Sequence, residues 1–155
     1  MATPLLNIYD AFLARITADE WTLEEEIALA ERDWEHLLDM GIFRFKYPRV
    51  NLEKVNCDCG PMGTTCCFKG DLSNDEIQLL ALYMKHEWVK RCIASWENIR
   101  QLYTDKDFSQ ANHLDKLNKL QEAVADEVSH AEGIYDRSRN KRPAILFKKL
   151  AGKKL

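Results

Sequence analysis

The sequence predicts a mainly α-helical protein: a bundle of about four helices, a small β-hairpin or extended insertion, and an extended basic C-terminal tail. Three observations predict this fold class. Apolar residues recur at spacings of three and four over several long stretches, which is the period of an amphipathic helix. Helix-capping residues stand at the start of these stretches. One short region replaces that period with alternation and a glycine–proline turn, which is typical of strands.

Length and composition agree with a folded globular chain. The 155 residues fit one domain, and the apolar share of 46% and charged share of 30% are ordinary for such a domain. No apolar run approaches the roughly 18 residues that a membrane-spanning helix needs. The start, MATPLLNIYD, lacks the basic residues and apolar stretch of a secretory signal. We therefore expect no membrane association and a protein that stays in the compartment where it is made.

The first two helices are predicted in the acidic N-terminal part of the chain. Thr3-Pro4 suits the cap and the first position of a helix, and apolar residues follow at helical spacing as far as Ile16. Thr22 starts the second helix, and Glu25 completes a capping box with it. Gly41 follows the apolar stripe of this helix and is expected to end it.

The pattern changes after the second helix. Residues 43–49, FRFKYPR, alternate apolar and basic side chains, and Pro48 favours an edge strand or a break over a central strand. The sequence Gly60-Pro61-Met62-Gly63 is typical of a turn. Residues 50–69 are therefore interpreted as a β-hairpin or long loop, within an insertion at about residues 42–70.

Two further helices are predicted after the insertion. Ser73 and Glu76 form a second capping box, and the apolar pattern behind them continues for about 30 residues, or roughly 45 Å. Because Leu79 to Met84 is apolar on more than one face, this should be the central helix. Ser109 can cap a fourth helix that runs to about Tyr135. Its narrow, heptad-like stripe suits a helix–helix contact within the chain or between copies.

Charge is distributed unevenly along the chain. Residues 137–155 hold eight basic residues and no acid, which leaves 14 basic and 25 acidic residues in the first 136, a charge of −11. Such polarity can orient copies of one chain or steer the tail onto an acidic partner. Pro143 is expected to end any helix. We therefore predict a helical domain over residues 1–136 and a basic docking extension over residues 137–155.

The basic extension is the predicted partner-binding site. Apolar residues within a basic tail favour docking into a protein groove, with the charges fixing the orientation. A solvated tail and contact with nucleic-acid phosphates are the alternatives. The residues expected to bind a partner are Arg137, Arg139, Lys141, Arg142, Ile145, Leu146, Phe147, Lys148 and Lys149.

No catalytic residues are predicted. The sequence has no glycine-rich phosphate loop, no Gly-x-Ser-x-Gly elbow and no His-Glu-x-x-His motif. The histidines fall on amphipathic helices, where surface or contact roles are more common than catalysis. The sequence therefore predicts a protein that is not an enzyme and needs no cofactor.

Four cysteines flank the predicted turn: Cys57, Cys59, Cys66 and Cys67. Four thiolates can hold zinc, but Cys-x-Cys and Cys-Cys pairs differ from the usual Cys-x-x-Cys spacing. A hairpin could instead bring cysteines of its two arms within bridging distance. A loop of unbonded cysteines, a disulfide and a zinc site all remain open.

The layout resembles a family of structural proteins. The most particular parts are DLSNDEIQLLALYM and SQANHLDKLNKL, preceded by FRFKYPRVNLEKV. Together they resemble the head–tail connector, or adaptor, class of neck proteins in tailed bacteriophages. The resemblance covers most of the chain, although the cysteine cluster departs from the family pattern.

This resemblance implies a structural virion protein. Copies would form a ring beneath the portal, with residues 137–155 docked against the portal protein and with tail or other neck proteins as further partners. DNA would pass through the ring without sequence-specific contact. The protein would be assembled in the host cytoplasm and located in the neck of the virion. Two alternatives remain: a nucleic-acid-binding helical regulatory protein, and a zinc-dependent interaction module.

Overall fold

The computed structural model describes the backbone of residues 2–16, 24–56, 65–102 and 108–151. Side chains are described for residues 2–16, 32–55, 67–95 and 114–139. Within these ranges the chain forms four helices and a small three-stranded antiparallel sheet, which confirms the mainly helical prediction. The elements are β1 (Thr3–Pro4), α1 (Leu5–Leu13), α2 (Glu24–Arg44), β2 (Lys54–Asn56), β3 (Thr65–Phe68), α3 (Asn74–Leu102) and α4 (Phe108–Ala151).

Helix α3 is the centre of the molecule, as the sequence predicted. Helices α1, α2 and α4 all pack against it. Its residues Leu79 to Met84 are buried all around the helix, whereas a surface helix would bury only one stripe. The capping box also forms: the Ser73 hydroxyl accepts the Glu76 N–H at 3.4 Å, and the Glu76 carboxylate accepts the Ser73 N–H at 2.9 Å.

The predicted hairpin is confirmed, with a third strand that the sequence did not reveal. Strand β3 pairs antiparallel with β2 on one side and with β1 on the other. The register pairs Val55 with Cys67 but Asn56 with Thr65, so the ladder has an irregularity there. The turn predicted at Gly60-Pro61-Met62-Gly63 lies outside the described residues.

The predicted cap at Thr3 is wrong. The Thr3 N–H donates to the Gly70 carbonyl at 3.3 Å, and the Thr3 hydroxyl accepts the Leu72 N–H at 2.8 Å. Pro4 takes the cap position of α1 without a side-chain hydrogen bond. Thr3 is thus used to tie the N-terminus to the sheet. The second predicted cap, Thr22, lies outside the described residues.

Helix α2 does not end at Gly41 but continues to Arg44. A Cβ atom at Gly41 would stand 3.3 Å from the Tyr83 Cβ, so the glycine permits a close approach between α2 and α3. Of the edge strand or break predicted over FRFKYPR, the strand is wrong and the break is what forms. Phe43 and Arg44 belong to the last turn of α2, and the chain that follows has no regular structure until β2.

Helix α4 begins at Phe108, one residue before the predicted cap, and continues past Tyr135 and Pro143 to Ala151. Residues 137–151 are therefore helical, and the prediction that Pro143 ends the helix is wrong. A proline inside a helix loses the backbone hydrogen bond of its own nitrogen, but the turns on either side can keep helical geometry. The described helix crosses residue 136 without interruption.

Candidate interaction surface

Residues 45–49, the segment that follows α2, are anchored by one aromatic side chain. Phe45 is buried and lies between two tyrosines, with ring centroids 5.8 Å from Tyr83 of α3 and 5.3 Å from Tyr135 of α4. Both ring pairs are edge-to-face, the arrangement that aromatic quadrupoles favour. Phe45 therefore fixes the segment across the two long helices.

A buried carboxylate fixes the other end of the segment. Glu76 is only 1% exposed, and its two oxygens accept four hydrogen bonds. One oxygen accepts the Arg49 N–H and the Tyr135 hydroxyl, both at 2.9 Å, while the other accepts the N–H and hydroxyl of Ser73. Burial by itself would raise the pKa of Glu76, but these donors outweigh it and hold the pKa below its usual value.

Glu76 thus joins three parts of the chain: the start of α3, the segment and α4. The hydrogen bond from Tyr135 to the Glu76 carboxylate also affects the pKa of this tyrosine. Burial first, and then the nearby Glu76, raises the pKa of Tyr135 to about 12. The phenol therefore keeps its proton and stays a donor at neutral pH.

Three arginine–tyrosine stacks surround the region where Glu76 joins α3, residues 45–49 and α4. The Arg44 guanidinium lies 5.2 Å from the Tyr83 ring centre, and the Arg49 guanidinium lies 4.9 Å from the Tyr135 ring centre. The third stack places Arg139 5.7 Å from the Tyr47 ring. Each is within the distance at which a cation is attracted to an aromatic face.

Two of these arginines also hydrogen-bond between the segment and α4. The Arg139 side chain donates to the Tyr47 carbonyl at 3.1 Å, and the Arg49 side chain donates to the Ser138 hydroxyl. The start of the predicted docking extension is therefore packed against the body of the protein.

Two aromatic rings of the same stretch are largely open to solvent, although one of them, Tyr47, has Arg139 over one face. Phe43 is 91% exposed and Tyr47 is 63% exposed, although their neighbour Phe45 is buried. Exposed basic side chains accompany them. The exposed members form what we call the aromatic–basic surface: Phe43, Lys46, Tyr47, Arg49, Arg137 and Arg139.

Of the predicted partner-binding residues, the structure describes the side chains of Arg137 and Arg139. Arg137 is exposed and donates to the Gly133 carbonyl of its own helix at 3.0 Å. For the other seven predicted residues only the helical backbone of α4 is described. They are Lys141, Arg142, Ile145, Leu146, Phe147, Lys148 and Lys149.

Sequence reasoning missed Tyr47 and Glu76 as parts of this region. The alternation FRFKYPR was the available signal for Tyr47, but it was interpreted as a strand. Glu76 was recognised only as a capping residue, because its bonds to Arg49 and Tyr135 join residues that are distant in sequence.

A cleft of about 260 Å³ lies beside the aromatic–basic surface, between residues 44–47 and α4. Its walls carry both charges, with Arg44 and Lys46 on the segment side and Glu132 and Asp136 on α4. The Tyr83 hydroxyl donates to Glu132 at 2.7 Å. Burial, and then Glu132, raises the pKa of Tyr83 above its usual value. The tyrosine and carboxylate of this cleft are thus paired with each other.

The buried His86 connects α3 to the end of α2. Its Nδ1 atom lies 3.1 Å from an Arg44 side-chain nitrogen. Because arginine can only donate, this contact uses Nδ1 as an acceptor. A Glu87 carboxylate oxygen lies 3.4 Å from the same atom and could only accept from it, so the shorter Arg44 contact favours the neutral imidazole with its proton on Nε2. Burial lowers the pKa of His86, and the Arg44 charge lowers it further. His86 therefore serves as an acceptor that positions Arg44.

Cys67 of β3 is disulfide-bonded, and its partner lies outside the described side chains. A disulfide is one of the three alternatives that the sequence leaves open for the cysteines around the predicted turn, and the zinc site stays a prediction. The side chains of Cys57, Cys59 and Cys66 lie outside the described residues. Among the side chains that are described, no group of three or more potential ligands is placed to hold a metal ion.

Comparisons with protein families, curated proteins and solved structures find no match to this chain. In the described part of the chain, no helix combines the length and the apolar character needed to cross a bilayer.

Proposed function

We propose that this chain is a structural assembly protein without catalytic activity, of the head–tail connector (adaptor) class of tailed bacteriophages. Copies form a ring beneath the portal and join it to the tail. Residues 137–155 dock against the portal protein, and DNA passes through the ring without sequence-specific contact. On this proposal the protein works in the virion neck after assembly in the host cytoplasm.

The observation that carries this proposal is the aromatic–basic surface. A ring that is 91% exposed costs solvation free energy in an isolated molecule, so it favours a surface that is covered by a partner. Arg137 and Arg139 of this surface belong to α4, which continues into the rest of the basic extension. The surface thus combines exposed aromatic side chains with arginines, and both residue types are enriched in protein interfaces.

The use of the polar groups also supports a scaffold. Glu76 has both oxygens occupied by donors from three parts of the chain, and His86 accepts from Arg44. A catalytic carboxylate or imidazole needs an open face toward a substrate. These two groups instead stabilise the packing of α2, α3 and α4.

The test is incorporation into particles. We expect electron microscopy to place the chain in a ring between portal and tail. Reversing two charges of the extension, Lys148→Glu with Lys149→Glu, should reduce incorporation and portal binding. The matched control is Lys116→Glu with Lys119→Glu, two exposed positions earlier on α4. Equal incorporation of both variants, or a position outside the neck, would contradict the proposal.

A nucleic-acid-binding role is the second candidate. Exposed Phe43 and Tyr47 flank exposed Lys46, and bases can stack on aromatic rings between basic residues. If nucleic acid is the ligand, the logarithm of the association constant should fall by about 0.7–0.9 per phosphate contact for each tenfold rise in salt concentration. Binding that ignores salt would exclude this role.

A further inference from the structure

The aromatic–basic surface has an uncovered apolar centre at the end of α2. Phe43 is 91% exposed, and Met40, one helical turn earlier on the same face, is 45% exposed. Tyr47, on the segment that follows, adds a third exposed apolar side chain. A partner that covers this centre should therefore contribute a large apolar side chain of its own.

The charge around this centre is positive. Residues 43–49 contain three basic side chains and no acid, and residues 137–142 contain four basic side chains and no acid. Asp75 and Asp136 are exposed acids nearby on α3 and α4, and they offset part of this charge. The excess still favours an acidic partner, because opposite charges steer and orient the encounter.

One segment of the same chain has the complementary composition. Residues 19–26, DEWTLEEE, contain five acids and no basic residue. They also contain Trp21 and Leu23, which are large apolar residues. The segment thus combines the negative charge and the aromatic side chain that the surface calls for. Tryptophan is among the residues that contribute most to protein interfaces.

We infer that the aromatic–basic surface binds residues 19–26 of a second copy of this chain. The same copy cannot supply Glu24, Glu25 or Glu26, because α2 is continuous from Glu24 to Arg44. Glu24 stands 19 residues from Phe43 along that helix, a separation of about 29 Å. These three charges can therefore reach the surface only from a neighbouring copy.

Such a contact joins two different surfaces of the two copies. Repeating it gives a closed ring or an open filament, whereas contact between identical surfaces would stop at a dimer. The inference rests on the proposed function, since it names the subunit contact from which a ring of copies is built. It assigns the aromatic–basic surface, with Arg137 and Arg139, to a neighbouring copy and leaves the rest of the extension, residues 140–155, for the portal.

Two variants test this contact. The surface variant carries Phe43→Ser and Lys46→Glu, both at exposed positions. The segment variant carries Asp19→Lys, Glu20→Lys and Trp21→Ser, all before the first residue of α2. The matched control carries Leu120→Ser and Lys116→Glu, which likewise replace one large apolar residue by serine and one lysine by glutamate, at exposed positions of α4. Circular dichroism of each full-length variant checks that its helical content is unchanged.

Light scattering and sedimentation then measure self-association. We expect the wild type and the control to associate equally, and each test variant to associate at least about tenfold more weakly. An equimolar mixture of the two test variants should form a one-to-one heterodimer and nothing larger. In that mixture the intact segment of the surface variant can bind the intact surface of the segment variant, but the remaining sites are inactive.

Three results would overturn the inference: wild-type association that both variants retain, a mixture that stays monomeric, or a wild type that remains monomeric at every concentration reached. The last result, combined with incorporation into the virion neck, would reject this contact and leave the proposed function standing. Association as expected, without any location in the neck, would instead reject the proposed function and leave this contact standing.

Discussion

Replacing Glu76 by glutamine should destabilise the protein strongly, because this carboxylate holds α3, residues 45–49 and α4 together. The native group accepts four hydrogen bonds while only 1% exposed. Glutamine has the same shape, but its amide group turns two donors toward the Ser73 or Tyr135 side of the site. Two charge-assisted bonds are then lost, at about 1.5 kcal/mol each, so unfolding should become easier by about 3 kcal/mol.

The natural control is Asp75→Asn, which removes a negative charge from the same first turn of α3 at an exposed position. It should cost only about 0.3–1 kcal/mol, the value of a charge near a helix N-terminus. Urea unfolding followed by circular dichroism measures both free energies. The midpoint of thermal unfolding should fall by about 6–12 °C for Glu76→Gln, since 1 kcal/mol corresponds to about 2–4 °C at this chain length.

The dependence of unfolding free energy on pH in the acid range gives a second measurement on Glu76→Gln. The pKa of Glu76 is lowered in the folded protein from its usual 4.5. Its contribution is therefore complete above that value and is lost as the pH falls through the folded pKa. Glu76→Gln should flatten the loss of stability in this acid range. If the two variants unfold within about 0.5 kcal/mol of each other, the role assigned to Glu76 is wrong.

Three further predictions use matched positions. Phe45→Ala should cost about 3–5 kcal/mol in urea unfolding, and Phe43→Ala less than about 0.5 kcal/mol, because only the first ring is buried; equal costs would refute the packing. His86→Gln should reduce the loss of unfolding free energy below pH 6.5. The pKa of His86 is lowered in the folded protein, so the unfolded chain takes up the proton first as the pH falls. An unchanged dependence of the unfolding free energy on pH would contradict this. Gly41→Leu should cost about 1–3 kcal/mol by overpacking, whereas Gly133→Leu, in open space, should raise the thermal midpoint.

The sequence contained enough information for the features that depend on neighbours along the chain. The Ser73–Glu76 capping box spans three residues, and both of its hydrogen bonds form. The all-round burial of Leu79 to Met84 could be predicted because no polar face interrupts that stretch. The hairpin followed from the turn chemistry between its two arms.

The features that could not be predicted depend on residues far apart in the chain. Gly41 carries the signal of a helix end, but it is used for contact with Tyr83, which is 42 positions away. Thr3 has a good capping side chain, but Leu72 competes for its hydroxyl. Local sequence cannot rank such competing uses, because the choice depends on the packing of the whole fold.

In the candidate site, too, the features set by neighbouring residues can be predicted and those set by distant residues cannot. The alternation in FRFKYPR would place Phe43, Phe45 and Tyr47 on one face of a strand, but only Phe45 is buried, because Phe43 belongs to the last turn of α2. The alternation does not reveal that the segment lacks regular structure, or that Arg139 reaches the Tyr47 carbonyl. The basic extension is recognisable from its local composition, eight basic residues around the apolar Ile145, Leu146 and Phe147.

Helix α4 has a mechanical consequence. The rod that carries Arg137 and Arg139 also buries Val124, Val128 and Tyr135 against α3. A force applied to the C-terminal end of α4 is therefore transmitted to the hydrophobic core. Such a force could extend the protein only by separating α4 from α3, which breaks their packing. A flexible tether, by contrast, would stretch before any packing is lost.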